Sequence, residues 1–125
     1  MIRILVIDDY PEILTMLDLT LGMAGYHVVT ADNGAAGLML ATDLKPDLIL
    51  LDIDMPGRDG TVVCADLKRD PVTARIPVLM MTGRMSLHIL EQGRQAGARG
   101  VLSKPFLREC LLEEINRALT ESPIR

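Results

Sequence analysis

Residues 48–60 read Leu-Ile-Leu-Leu-Asp-Ile-Asp-Met-Pro-Gly-Arg-Asp-Gly. The first four are apolar without alternation, a pattern typical of a strand buried on both faces of a parallel sheet. The run stops at Asp52, and the Pro-Gly pair that follows predicts a loop. Asp59 then suits the N-cap of a helix, because its carboxylate can accept a hydrogen bond from the first turn. The stretch predicts a buried strand, a carboxylate at its carboxyl end, and a helix soon after.

The same alternation continues on both sides of this stretch. Four other apolar runs have strand length, namely Ile4–Ile7, Val28–Ala31, Val78–Met81 and Val101–Leu102. Helical spacing occupies the segments between them, with helices predicted from Pro11 to before Gly25, from about Gly34 to Leu44, after Asp59, from Ser86 to before Gly97, and from about Leu107 to Leu119. The fourth of these helices is expected to run through Leu87, Leu90 and Ala96. Five strand–helix repeats joined by right-handed crossovers predict an open parallel α/β sheet with helices on both faces.

Length and composition favour one soluble domain. The chain has 125 residues, 49% of them hydrophobic, and a formal net charge of −4. That charge disfavours direct nucleic-acid binding and attachment to anionic lipid. Cys64 and Cys110 are expected to be reduced, buried small side chains. No run reaches the roughly 18 apolar residues of a membrane span and no leader is apparent, so a cytoplasmic location is expected. One domain over 1–125 is predicted, with an ordered core of about 3–119 and a frayed end at Glu121–Arg125.

Polar side chains stand at the carboxyl ends of four predicted strands. Asp8-Asp9 follows the first strand, Asp52 the third and Thr82 the fourth, while Lys104 comes shortly after the fifth. In an open α/β sheet, ligands bind beyond the carboxyl ends of the strands. Any one of these residues alone would more often be a loop or cap residue. Their occurrence together, each at a strand end, predicts a single polar crevice.

The residue types in this crevice indicate phosphoryl chemistry. Three carboxylates repel one another unless a cation is shared among them, and an all-oxygen ligand set suits Mg²⁺. Lys104 offers a positive charge to phosphate oxygens, and Thr82 offers a hydroxyl donor. The sequence therefore predicts a Mg²⁺ site at Asp8, Asp9 and Asp52 with an acceptor carboxylate, the parts of a phosphoryl-transfer site.

These motifs together resemble the receiver domain of bacterial two-component response regulators, over nearly the whole chain. The matching segments are Ile-Leu-Val-Ile-Asp-Asp at 4–9, the stretch at 48–60, Val-Leu-Met-Met-Thr-Gly at 78–83 and Gly-Val-Leu-Ser-Lys-Pro-Phe at 100–106. The resemblance implies a flavodoxin-like fold with strand order 2-1-3-4-5, the order of doubly wound domains of this kind. It also implies that the Lys104–Pro105 bond is cis.

The resemblance implies a role for each residue of the crevice. Asp52 would be the phosphoacceptor, supplied by a histidine kinase or a histidine phosphotransfer protein. Asp9 and Asp52 would bind Mg²⁺ directly, Asp8 through water, and Asp54 through its backbone carbonyl. The phosphoryl oxygens would be bound by Lys104 and Thr82.

Further positions are expected to set the switch and the lifetime of the phosphoryl group. Gly83 would leave room for the phosphoryl oxygens. Many receivers carry Tyr or Phe where this chain has Val101, and that aromatic ring swings inward on activation, a movement Val101 cannot reproduce. Arg99-Gly100 replaces an acidic pair found in receivers that dimerise to bind DNA. Asp54 and Arg84 each follow a strand end by two residues and are expected to face each other across the mouth of the site.

The first helix carries two apolar lines. Ile13, Leu14, Leu17, Leu21 and Ala24 form the face expected to pack on the sheet. Met16, Leu19 and Met23 fall in a separate narrow sector at about 100° per residue. Contiguous exposed apolar patches often mark interfaces. The second line is therefore expected to dock a helical phosphodonor beside Asp52, or else to pack under the fifth helix as extra core.

Two other functions remain open from the sequence. A receiver-like module could bind partners without being phosphorylated, although such sequences typically lack the acceptor or the acidic pair. The Asp52-Ile-Asp54 motif also resembles the opening motif of haloacid-dehalogenase-type phosphatases, which would make the chain an enzyme. That motif normally lies on the first strand and needs more chain for a lid, so a non-enzymatic receiver is preferred.

Overall fold

A computed structural model describes residues 1–120 as five parallel strands and five helices in alternation. The strands are β1 (Arg3–Ile7), β2 (His27–Ala31), β3 (Leu48–Asp52), β4 (Val78–Thr82) and β5 (Gly100–Ser103). The helices are α1 (Pro11–Met23), α2 (Gly34–Leu44), α3 (Gly60–Arg69), α4 (Leu87–Gln95) and α5 (Arg108–Thr120). The predicted α/β class is confirmed. The expected fraying of Glu121–Arg125 concerns residues outside the described range.

The sheet has the order β2-β1-β3-β4-β5, as predicted. All pairs are parallel, with Ile7 beside Ala31 on one side and beside Leu51 on the other. Residue Asp52 pairs with Met81, and Thr82 pairs with Ser103. The carboxyl ends of the strands therefore share one edge, and the strand order switches direction at β1 and β3. This edge is where a doubly wound sheet forms its ligand crevice.

Aliphatic side chains fill both sides of the sheet. Strand residues alternate between the faces, so Leu5 and Ile7 pack with α2, α3 and α4 whereas Ile4 and Val6 pack with α1 and α5. Strands β3 and β4 are buried along their whole length. This continuous burial explains why their sequences are uninterrupted apolar runs.

Local signals place α3 directly beside the end of β3. The Asp59 side chain accepts a 2.7 Å hydrogen bond from the backbone N–H of Thr61, which confirms the predicted N-cap. The backbone N–H of Gly60 donates to the Ile53 carbonyl at 2.9 Å. A Cβ at Gly60 would overlap the backbone carbonyl oxygen of Asp52, so only glycine permits this approach. The loop that follows Asp52 is thereby held against the crevice.

The fourth helix begins where it is predicted to begin, and the structure adds which of its sides faces the sheet. Ser86 is the N-cap as expected, with its hydroxyl accepting from the Ile89 N–H at 3.1 Å. Leu87 is 86% exposed and Leu90 is 44% exposed. The side toward the sheet carries Ile89 and the buried Gly93. A Cβ at Gly93 would collide with the Val101 side chain. A small residue rather than a leucine therefore permits the close packing of α4 on β5.

Smaller corrections concern single side chains. Ala24 after α1, which is expected in the apolar face of that helix, is exposed, and so is Val62 on α3. Both cysteines are free, but only Cys64 is buried, and burial raises the pKa of its thiol to about 11. Cys110 is exposed, so the prediction of a buried thiol there is wrong. Among the helices in residues 1–120, none is long and apolar enough to cross a membrane.

Candidate functional site

Three carboxylates meet at the carboxyl edge of the sheet, as their positions after β1 and β3 predict. Asp8 and Asp52 are buried, whereas Asp9 is partly exposed. One oxygen of each of Asp8, Asp9 and Asp52 can be chosen so that all three lie within 4.8 Å of one another. The parallel register brings about this convergence, because β1 and β3 are neighbours and end at the same level.

Lys104 reaches this cluster from the loop after β5. Its Nζ lies 2.9 Å from Asp8 Oδ2 and 3.2 Å from Asp52 Oδ1. The Lys104 backbone N–H donates to the Thr82 carbonyl at 2.7 Å, and the Lys104–Pro105 bond is cis, as expected. The ring of Tyr10 lies over the ammonium, with its centroid 5.9 Å away. One cation thus bridges two buried carboxylates.

The charges in the cluster are not balanced by Lys104 alone. Burial, and then the negative charge of Asp8, raise the pKa of Asp52 to about 6, although Lys104 opposes this shift. Burial lowers the pKa of Lys104, but hydrogen bonding and attraction to Asp8 and Asp52 outweigh it, and the net shift is upward. The site therefore attracts a further cation.

Two carboxylate oxygens identify where that cation would be held. Among the described residues, the buried side-chain oxygens without a hydrogen-bond partner are Asp9 Oδ1 and Asp52 Oδ2. Leaving buried charged acceptors unpaired is costly, and a hard divalent ion accepts such oxygens directly. The triad Asp8, Asp9 and Asp52 thus fits a Mg²⁺ site. The expected contribution of the Asp54 backbone carbonyl stays a prediction.

Thr82, Asp54 and Arg84 form one linked group at the rim. The Thr82 hydroxyl donates to Asp54 Oδ2 at 3.0 Å and accepts from the Arg84 backbone N–H at 3.0 Å. The Arg84 guanidinium donates to Asp54 Oδ1 at 2.7 Å. Burial raises the pKa of Asp54, but hydrogen bonds from Arg84 and Thr82 outweigh it and lower the pKa overall. The two loop residues therefore do face each other, as their spacing predicts.

Beside these groups lies a cavity of about 310 Å³, open to solvent. It is lined by Tyr10, Asp52, Asp54, Gly83, Arg84 and Lys104. A Cβ at Gly83 would meet nothing within 4 Å, so glycine is not required there by the protein's own packing. Its expected role in accommodating phosphoryl oxygens stays a prediction.

The structure separates Val101 from this cavity. Val101 lies on β5 and lines a second groove, of about 540 Å³, with Leu87, Leu90 and Arg94 of α4. Its expected part in the switch is untested. Conversely, Tyr10 lines the site although its sequence position was not singled out. The sequence feature that could have identified Tyr10 is its position directly after the Asp8-Asp9 pair, in a chain with only two tyrosines.

The second apolar line of α1 is exposed to solvent. Met16, Leu19 and Met23 are 40%, 64% and 76% exposed, whereas Leu17 and Leu21 on the same helix are fully buried. The alternative that the three residues serve as extra core under α5 is therefore wrong. The patch Met16/Leu19/Met23 begins seven residues after Asp9.

This fold and site define a doubly wound domain with an acidic, lysine-bridged pocket at the carboxyl edge of its sheet. The sequence model of the response regulator receiver domain family matches residues 4–116, so the chain belongs to that family. The chain is 45% identical over 117 residues to the DNA-binding dual master transcriptional regulator RpaA of Synechocystis, covering 94% of this chain and 48% of RpaA. It is 40% identical over 119 residues to protein PilH of Pseudomonas aeruginosa, covering 95% of this chain and 98% of PilH.

Solved structures agree with this assignment. The chemotaxis protein CheY4 of Vibrio cholerae superimposes with a TM-score of 0.91 at 34% identity, covering 95% of this chain and 99% of CheY4. The chain thus spans about half of one curated relative and nearly all of another. A receiver domain implies a histidine kinase as its partner.

Proposed function

We propose that this domain takes a phosphoryl group from a phosphohistidine donor onto Asp52 and thereby switches partner binding. The observation that carries the proposal is the Asp52 carboxylate itself. One of its oxygens is paired with Lys104, and the other is buried without a partner. The unpartnered oxygen would bind Mg²⁺, and the oxygen beside Lys104 would attack phosphorus as the ammonium turns to the transferred group.

In the proposed step, an Asp52 oxygen forms a bond to phosphorus while the bond from phosphorus to the donor nitrogen breaks. The donor imidazole leaves with that electron pair, and Asp52 becomes an acyl phosphate. When bound by Asp9, Asp52 and the Asp54 carbonyl, with Asp8 acting through water, Mg²⁺ would neutralise negative charge on the transferred group. Lys104 would bind a phosphoryl oxygen, since its ammonium already lies against the acceptor. Thr82 would bind another.

The partner proposal follows from the exposed patch Met16/Leu19/Met23. A helical donor, either a histidine kinase or a histidine phosphotransfer protein, would dock there and present its histidine to Asp52. The patch suits this role because Asp8 and Asp9 immediately precede α1. The phosphorylated domain would in turn act on a downstream protein target or a fused output domain.

Arg84 is proposed to set the lifetime of the acyl phosphate. The exposed Arg84 side chain is paired with Asp54, and both residues line the cavity that contains Asp52. Hydrolysis requires a water molecule to approach phosphorus in line with the Asp52 oxygen. The ion pair would obstruct that approach and slow the decay.

Acetyl phosphate with Mg²⁺ tests the phosphoacceptor proposal without a protein donor. Labelling should occur at Asp52 alone, be lost in Asp52→Asn and persist in Asp54→Asn. Labelling that survives Asp52→Asn and disappears in Asp54→Asn would transfer the acceptor role to Asp54. No labelling of the wild-type domain would favour the phosphorylation-independent binding module. Steady turnover of a generic phosphate ester would favour a phosphatase instead.

A further inference from the structure

The Thr82 hydroxyl has its single proton committed to Asp54. Thr82 is fully buried, its hydroxyl donates to Asp54 Oδ2 at 3.0 Å, and its oxygen accepts from the Arg84 backbone N–H. A hydroxyl carries one donor proton, so it cannot also donate to a phosphoryl oxygen. Binding of a phosphoryl oxygen by Thr82 therefore requires that the bond to Asp54 first be broken.

We infer that Asp54 is a positioning residue that holds the Thr82 hydroxyl in the unphosphorylated protein and competes for it with the phosphoryl group. The inference rests on the proposed function, in which Thr82 binds a phosphoryl oxygen. It gives the Asp54 side chain a part distinct from that of its backbone carbonyl. This role is separate from that of the Asp54–Arg84 ion pair. Asp54 would compete for the Thr82 hydroxyl whether or not the ion pair obstructs the attacking water.

The surroundings of Asp54 make it an effective competitor. Its second oxygen is held by the Arg84 guanidinium at 2.7 Å, so the carboxylate is fixed from two sides. Hydrogen bonds from Arg84 and Thr82 keep its pKa low, and a charged acceptor binds a hydroxyl more strongly than a neutral one. Asp54 thus stabilises the orientation of Thr82 that precedes phosphorylation.

Beryllofluoride is a suitable probe, because beryllium binds a carboxylate oxygen and three fluorides stand for the phosphoryl oxygens. With Mg²⁺ present, Asp54→Ala should tighten beryllofluoride binding roughly three- to tenfold, the range for one hydrogen bond of about 1 kcal/mol. In a Thr82→Ala background, the same substitution should change the affinity less than twofold. A gain that persists without the Thr82 hydroxyl would overturn the inference, since it would reflect only the removal of a negative charge near an anion.

A second readout needs neither Mg²⁺ nor beryllofluoride. In metal-free protein, three-bond NMR couplings should show one χ1 rotamer for Thr82 in the wild type and several in Asp54→Ala. Asp66→Ala is the matched control, because Asp66 is about as exposed as Asp54 and likewise pairs with an arginine, Arg69, at 2.6 Å on α3. A single unchanged Thr82 rotamer in Asp54→Ala would overturn the inference. Absence of wild-type labelling and of beryllofluoride binding would instead overturn the proposed function, and the competition with it.

Discussion

The Arg84 guanidinium lies 2.7 Å from the Asp54 carboxylate, although the two residues are 30 positions apart in the chain. The Arg84 side chain is 76% exposed. An ion pair so exposed contributes little to folding stability. The ion pair is therefore of interest for its place in the lining of the Asp52 cavity rather than for the free energy that it adds to folding.

Arg84→Ala should shorten the half-life of the Asp52 acyl phosphate several-fold, because it opens the path of the attacking water. The measurement is the decay of ³²P label after removal of acetyl phosphate. Arg94→Ala is the matched control, since the Arg94 side chain is 72% exposed and pairs with Glu91 at 2.6 Å on α4. Equal decay rates for all three proteins would mean that Arg84 and Asp54 are solvated loop charges without a part in hydrolysis.

Asp9→Ala should abolish both Mg²⁺ binding and labelling by acetyl phosphate while leaving the fold intact. Asp9 Oδ1 is buried and unpartnered, so the substitution removes a candidate metal ligand without breaking an internal hydrogen bond at that oxygen. Less repulsion among carboxylates should also raise the metal-free unfolding temperature. Isothermal titration with Mg²⁺, circular dichroism and labelling measure the three effects. Undiminished labelling would show that the metal site lies elsewhere.

Asp52→Asn should stabilise the metal-free domain by an amount that grows with pH. The pKa of Asp52 is 3.8 as an isolated group and about 6 in the fold, so between these values the folded state binds more protons than the unfolded state. The contribution of Asp52 to the free energy of unfolding is therefore greatest below about pH 4 and is lost as the pH rises through about 6. The loss corresponds to roughly 3 kcal/mol at most.

The test is the difference in unfolding free energy between Asp52→Asn and wild type in EDTA, from pH 4 to pH 7.5. Taking the difference removes the contribution of Asp54, whose lowered pKa acts in the opposite direction in both proteins. Asp8 and Lys104 face Asp52 and remain present in both proteins. A difference that stays flat with pH would mean that folding does not raise the pKa of Asp52.

The sequence predicts those parts of the site that are fixed by strand ends. Asp8, Asp52 and Thr82 each end or follow a buried apolar run, and a parallel sheet must bring such ends together. It does not predict the Thr82–Asp54 hydrogen bond, because the direction of a hydroxyl depends on side-chain packing rather than on spacing. The side of α4 that faces the sheet is likewise not predicted by the sequence. Periodicity identifies Leu87 and Leu90 as apolar, but the close contact of Gly93 with Val101 decides which side of the helix meets the sheet.

Leu19→Glu should slow phosphoryl transfer from a phosphohistidine protein at least several-fold and leave labelling by acetyl phosphate near normal. Leu19 is 64% exposed and is the central residue of the patch Met16/Leu19/Met23. A charge there would disrupt an apolar contact with a docked helix, whereas a small phosphodonor does not touch α1. Met39→Glu is the matched control, because Met39 is 67% exposed but lies on α2, which packs on the opposite face of the sheet. If Leu19→Glu slows both donors equally or unfolds the domain, or if Met39→Glu slows protein transfer as much, α1 is not the docking surface.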